Sequence, residues 1–440
     1  MARLKRTLSL GSVVLFGIAY MTPIIVLGTF GILADVTRGV VPSAYLVASV
    51  AMLFTALSYG RMAAAFPVAG SAYTYVRKSI SPKLGFLAGW AVLLDYLFLP
   101  MAIWLIGAAY LHSAFPAVPQ ALWVLAFIGV TTAINVVGLR LANNINGVLM
   151  LVQFLVLIAF VGLAIHYVMG DVSRPLWTLE PFLKEGTQLP LIMGGAAIAC
   201  YSFLGFDAVS TLTEETHEPR KTIPRAILLI TLIGGGIFIA ASYFVQLAHP
   251  SVEFQNADSA AYEIARNIGG DLFVSFFLIG LIVGQFTSGL SAQASASRLL
   301  FAMGRDGVLP RPFFGRISKR FETPVNSIVL CGVVALLALH MDVTTSTSFI
   351  NFGAFLAFSL VNLSVIFHYY LNAERRGLRE LVLFLLFPLI GLLADLWLMV
   401  SLDHLAIWLG ATWLVLGVIY LAVITGGFRQ QPPEMHFEEA

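Results

Sequence analysis

Charged residues are scarce in this chain, at 11% of 440 positions, against roughly 25% in ordinary soluble domains. With 59% hydrophobic residues and a mean hydropathy of +0.90, that scarcity excludes a water-soluble fold of this size. Cysteine is nearly missing. Cys200 and Cys331 each stand inside an apolar run with no partner at metal-ligand spacing, so neither a metal site nor a disulfide framework is expected. A formal net charge of +2 leaves no basic surface for a nucleic acid. Catalytic signatures are also lacking: the chain has no Walker-type phosphate loop, no H-E-x-x-H and no G-x-S-x-G, which argues against hydrolysis, ATP-driven pumping and a bound cofactor. Histidines form no relay, because His112, His166, His340 and His404 fall near one face of the membrane and His217 and His368 near the other.

Long, continuous apolar runs are what the sequence does have. They are unlike the short alternating segments of a β-barrel and predict an all-α polytopic membrane protein. Polar breaks divide them into twelve candidate spans, at about 11–34, 41–63, 84–112, 118–139, 147–169, 190–214, 224–248, 272–302, 325–340, 346–371, 380–401 and 405–425. An even number places both termini on one side. Of 25 Lys and Arg residues, only Arg38, Arg174, Lys184 and Arg266 then fall opposite them, so the positive-inside rule assigns the termini to the cytoplasm. Arg3, Lys5 and Arg6 lead into an apolar run with no small-residue cleavage pattern, which reads as an uncleaved first span.

Two spans carry interruptions. The first holds Tyr20, Met21, Thr22, Pro23, Ile24 and Ile25 at its centre, followed by Gly28 and Gly31, and an interior proline removes a helix hydrogen bond and clashes with the preceding turn. The sixth holds Tyr201, Ser202, Phe203, Leu204, Gly205, Phe206 and Asp207. Five spans apart, these two run in opposite directions, as in an inverted-topology repeat. Non-helical backbone inside a bilayer must be buried in protein or line a watery cavity. There, free N–H groups attract a carboxylate and free carbonyls attract an ammonium group or a cation. The plainer alternative makes Pro23 a kink and Gly205 a packing residue.

Buried carboxylates sharpen the picture, since each costs at least ~2.5 kcal/mol at the bilayer centre. Asp207 beside the sixth-span break and Asp95 in the third span are candidates to hold a substrate amine or a coupling proton; satisfaction by nearby backbone is the alternative. Asp395 in the eleventh span is a weaker candidate, outside the repeat. Glu214 and Glu215, beside His217, Arg220 and Lys221, read as a solvated cluster or as an inner-gate ion pair. Tyr20, Tyr96, Tyr201, Phe203 and Phe206 supply rings that attract ammonium groups or close over a ligand.

Several segments together resemble the amino acid–polyamine–organocation transporters, and among them the bacterial putrescine importer branch. They are Gly17 to Pro23, Ala69 to Tyr75, Gly89-Trp90 with Leu93 to Phe98, Ser202 to Val209 followed by Glu214-Glu215-Thr216, Met303 to Gly307 and Asn351 to Ala354. The likeness runs from about Leu4 to Gly427. It implies a LeuT-like fold in a bacterial inner membrane: a cytoplasmic N-terminus over 1–10, inverted five-helix repeats over 11–169 and 190–371, two additional helices over 380–425, and a cytoplasmic tail over 426–440. It also implies import of amines or amino acids by alternating access, with Tyr96 matching a substrate-site tyrosine and Phe203 to Asp207 the gate and binding segment. Two positions depart from the pattern. Gly28 stands where close putrescine importers have an aspartate. Gln153 replaces a lysine that takes the place of a sodium site in many proton-coupled relatives, although glutamine also occurs among the putrescine importers.

The function expected is therefore a secondary transporter importing a small amine or amino acid, a putrescine-like polyamine first, with a coupling proton. Substrate contacts are expected from Tyr20, Met21, Thr22, Pro23, Ile24, Ile25, Tyr96, Phe203, Leu204, Gly205 and Asp207, and gating from Phe203, Phe206, Glu214 and Glu215. Ion coupling falls to Asp95, Asp207 and Gln153, with sodium at Thr287 and Ser288 as the alternative. The competing readings are a neutral amino acid permease with proton or sodium coupling, and a sensor that binds amine or amino acid without moving it.

Overall fold

The computed structural model describes residues 7–68, 70–138, 143–171, 175–372 and 377–434. Arg3, Leu4, Lys5, Arg6, Ala69, Arg140, Arg174 and Arg375 lie outside the described residues, as does the side chain of Glu214. The described residues contain no strand, only an isolated bridge between Leu8 and Thr216. The helices are α1 (Leu10–Met21), α2 (Ile25–Gly28), α3 (Phe30–Thr37), α4 (Val41–Ala65), α5 (Ser71–Ser79), α6 (Pro82–Ala114), α7 (Gln120–Val137), α8 (Asn143–Met169), α9 (Leu189–Ala199), α10 (Pro219–Ala248), α11 (Ala260–Arg305), α12 (Arg311–Phe314), α13 (Val325–Ala335), α14 (Val343–Val365), α15 (Leu378–Leu381), α16 (Phe387–Val400) and α17 (His404–Ile424).

Eleven helical stretches among the described residues are long and apolar enough to cross a membrane; Val325–His340, where the ninth span was expected, is a shorter apolar helix. Its last five residues tighten into a 3₁₀ turn, Leu336–His340, which rises about 2.0 Å per residue against 1.5 Å for the α-helix and so stretches its reach.

Local chemistry breaks the first and sixth spans where the sequence suggested. α1 stops at Met21 because Thr22 adopts a left-handed backbone (φ 49°) and turns its N–H back to the Ala19 carbonyl, while Pro23 has no N–H to continue the ladder. The span resumes as α2 and divides again at Thr29, whose hydroxyl donates to the Ile25 carbonyl at 3.1 Å. α9 tightens into a 3₁₀ turn over Cys200–Phe203, turns at Gly205 (φ +112°) and resumes as a 3₁₀ helix, Ala208–Glu215. In α11, Gly270 (φ 69°) interrupts the helix, close to the expected start of the eighth span at 272.

α10 lies along α4, α6 along α11, and α14 packs on both α6 and α16. α6 and α14 are among the most enclosed spans, whereas the stretches that hold α16 and α17 bury few of their residues. Asp395 is tied into that packing. Its Oδ2 accepts from Thr55 Oγ1 and from Asn362 Nδ2, each at 2.9 Å, and Asn362 Nδ2 also donates to Thr55 Oγ1 at 3.0 Å. All three residues are completely buried, so the acid of the eleventh span joins α4, α14 and α16. Replacing it strands two donors, and each buried unsatisfied group costs about 1–3 kcal/mol. Asp395→Ala should therefore lower the melting temperature of the purified protein clearly more than Asp395→Asn, which keeps an acceptor oxygen; equal melting points would remove the triad as a stabilising contact.

Candidate functional site

The two breaks meet beside a cavity of about 410 Å³, within the 300–1,000 Å³ range of small-molecule sites. The first span contributes Tyr20, Met21, Thr22, Pro23 and Ile25 to its wall, and the sixth contributes Tyr201 and Leu204. Gln153 comes from α8, and the cavity runs along α11 and α1 as far as Arg298 and Phe16. Of the residues singled out from sequence, Tyr20, Met21, Thr22, Pro23, Ile25, Tyr201, Leu204, Gln153, Thr287 and Ser288 line this space.

The wall is polar without being acidic: no carboxylate occurs among the described residues that line it. Thr22 Oγ1 donates to the carbonyls of Ala19 and Tyr20, both at 3.4 Å. Thr287 Oγ1 donates to the carbonyls of Val283 and Gly284, at 2.9 and 3.1 Å, leaving its lone pairs as acceptors. Gln153 is seated against Gly284, where a β-carbon would come within 3.0 Å of its Cδ. Gln285, on α11, is almost fully buried; its Nε2 faces Gly28 and finds no hydrogen-bond partner.

Asp95, Tyr96 and Asp207 are not part of this wall. Each is half-buried, and the two acids lie within Coulombic reach of each other and of Tyr20 and Tyr96. Asp207 has its carboxyl group beside the backbone of Gly205 and Ala208. Asp95 differs, because its Oδ1 is enclosed and has no partner. Tyr20, in the cavity wall, lies within Coulombic reach of both acids, and its ring rests on Gly205 so closely that a β-carbon there would overlap Tyr20 Cδ1. Gly205 is thus required twice, for its positive φ and for this contact.

The remaining candidates face elsewhere. Ile24 is buried off the cavity. Phe203 packs edge-on against Phe238 (5.2 Å between centroids), and Phe206 against Tyr59 (5.6 Å) and Phe358 (5.3 Å). Both rings are completely buried. Glu215 is held through its main-chain carbonyl, which accepts from the N–H groups of Thr7 and Leu8 at 2.8 and 2.9 Å. Lys221 pairs with Glu218 at 3.0 Å, both side chains being well exposed, and holds that carboxyl below its usual range; such surface pairs contribute little.

Sequence reasoning took Thr287 and Ser288 from α11 and missed Gln285, Ser291, Ser295 and Arg298. Their signal was present. Positions 285, 288, 291, 295 and 298 recur every three or four residues, a polar stripe on one face of an apolar helix, and all five line the cavity.

With this geometry in hand, comparison with known proteins places the chain among relatives. A family model described as amino acid permease matches residues 8–435. The low-affinity putrescine importer PlaP of Escherichia coli (strain K12) is 41% identical over 434 residues, covering 98% of this chain and 96% of that protein. The methylthioribose transporter of Bacillus subtilis is 28% identical over 445 residues, covering 96% and 92%. The branched-chain amino acid permease BcaP of the same organism is 26% identical over 343 residues, covering 73% and 72%.

Proposed function

The chain belongs to the amino acid permease family, and from that premise we propose that it is a secondary transporter importing a small amine or amino acid across a bacterial inner membrane, with putrescine its leading substrate. It is not an enzyme; its relatives are transporters and permeases. The observation that carries the reading is the meeting of two mid-span breaks at one cavity, whose wall residue Tyr20 is an electrostatic neighbour of Asp95.

The proposal includes a twelve-span topology with both termini cytoplasmic, five-helix repeats over 11–169 and 190–371, and two further helices over 380–425. Two packings support it: α4 on α10 and α6 on α11 each join spans five apart, the neighbours that an in-plane two-fold axis brings together. Under this topology the cavity, which reaches Phe16 and Arg298, faces the cytoplasm. Rocking one bundle against the other would expose the site to the opposite face. Asp95 receives an ammonium group, Asp207 carries the coupling proton, and Tyr20, Thr22 and Leu204 contact the remainder of the substrate. Sodium coupling would instead use Thr287 and Ser288 beside Gln153.

A neutral amino acid is the second reading, favoured by the absence of carboxylates from the lining among the described residues. Uptake of labelled putrescine into proteoliposomes, with amino acids as competitors, separates the two. The expected result is saturable putrescine uptake driven by an inward proton gradient, unchanged when sodium is removed. Competition by neutral amino acids alone would end the polyamine reading, and dependence on sodium would end the proton assignment.

A further inference from the structure

Tyr20 belongs to the cavity wall. Its hydroxyl is also an electrostatic neighbour of Asp95, Asp207 and Tyr96. None of those three reaches the cavity, yet all remain half-buried, although their helices sit deep in the bundle. The three residues therefore keep accessible surface that the main cavity's lining does not include. An enclosed carboxylate oxygen lacking a donor, as Asp95 Oδ1 is, leaves an unmet demand for one, and an ammonium group supplies both the donor and the opposite charge.

An amine entering or leaving by way of the cavity meets hydroxyls and amides and, at the far end, Arg298; the acids available to it are those that neighbour the wall residues Tyr20 and Tyr201. The ring is placed to move. It occupies the last turn of α1, two residues before the left-handed Thr22, so the helix ends at the next residue, Met21. Its hydroxyl makes no hydrogen bond to the described residues, and Phe16, at 6.3 Å between centroids, is its one close ring neighbour among them. Against Gly205 it meets a surface with no side chain, over which an aromatic ring can slide.

Resting on the reading of these residues as a transport site, we propose that Tyr20 is the shutter between the cavity and an ammonium chamber formed by Asp95, Tyr96 and Asp207, its ring leaving Gly205 whenever the cation passes. This gives Tyr20 a gating role that Phe203 and Phe206, packed into the core, do not share in this conformation.

Thiol labelling tests the shutter without any transport assay. Cys200 and Cys331, both buried, are first changed to alanine. In vesicles whose N-terminal face meets a membrane-impermeant maleimide, Thr22→Cys, in the cavity wall, should label at the same rate whatever stands at position 20, which reports an intact fold. Asp95→Cys should label slowly with Tyr20 or Tyr20→Phe. With Tyr20→Ala, or with the bulk-retaining Tyr20→Leu if alanine disturbs the control, labelling should rise by about tenfold or more, since a minor open state is populated at roughly 0.1–10%. Equal Asp95→Cys rates with and without the ring overturn the proposal. Because no substrate is present, a chain that labels as expected but moves no amine refutes the transport reading and leaves the shutter standing.

Discussion

Asp95→Asn is expected to reduce the kcat/KM of amine uptake by about a hundredfold or more while leaving the melting temperature unchanged or higher. The two halves of this expectation have one cause. In the ligand-free chain the Asp95 Oδ1 is enclosed and accepts no hydrogen bond, so the charge contributes nothing to folding and its removal relieves a desolvation cost. Once an ammonium group enters, the same carboxylate is its counter-ion. Leaving one partner of a buried ion pair without the other costs about 3–5 kcal/mol, a factor of roughly one hundred to several thousand in affinity. Asparagine keeps the shape and one acceptor oxygen, so lost packing cannot account for the effect. Initial rates across a substrate concentration series, with a melting curve on the same preparation, provide the check. Uptake within about threefold of the parent would remove Asp95 from the site, since the ion pair would then be worth under ~1 kcal/mol.

The second large effect belongs to Gly205. Gly205→Ala places a β-carbon into the Tyr20 ring and asks an L-residue to adopt φ +112°. Residues held in sparsely populated backbone regions cost about 1–3 kcal/mol, and overpacking a tight contact adds about 1–3 kcal/mol. Loss of transport and a fall in melting temperature are both expected. The double variant Gly205→Ala/Tyr20→Ala removes the collision and leaves the backbone strain, so part of the stability should return. A coupling of about 1–3 kcal/mol in that cycle would be in line with residues in direct contact. Strict additivity would show that the two side chains do not meet, and with it the shutter loses its seat.

Several features of the fold were legible from residues alone because their causes are local. Pro23 lacks the N–H that the next turn needs, so the first span must break beside it wherever the helix is placed. Gly205 tolerates a positive φ that its neighbours do not, which locates the turn in the sixth span. Span positions followed from the length of the apolar runs, since a bilayer admits helices of about 20 residues. Even the shorter apolar helix Val325–His340 was visible as a run of only 16 residues.

The direction in which each side chain points was not legible. In a helix, one residue advances the side chain by a large fraction of a turn, and a helix that is apolar nearly all round gives no cue to which face meets lipid, core or cavity. Phe203, Leu204 and Phe206 are near neighbours in sequence, yet only Leu204 reaches the cavity while the two rings fill the core. Asp95 and Asp395 look alike as single acids in apolar spans, and each keeps one enclosed oxygen without a partner; tertiary packing gives the other Asp395 oxygen two donors, from Thr55 and Asn362, and, among the described residues, supplies Asp95 with no such pair. The sequence by itself determined that this chain crosses a membrane repeatedly and where two of its helices come apart, because hydropathy and proline are properties of the residues. Which polar groups border an open space, and which are merely satisfied by neighbours, was decided when the helices packed and fixed their rotations against one another.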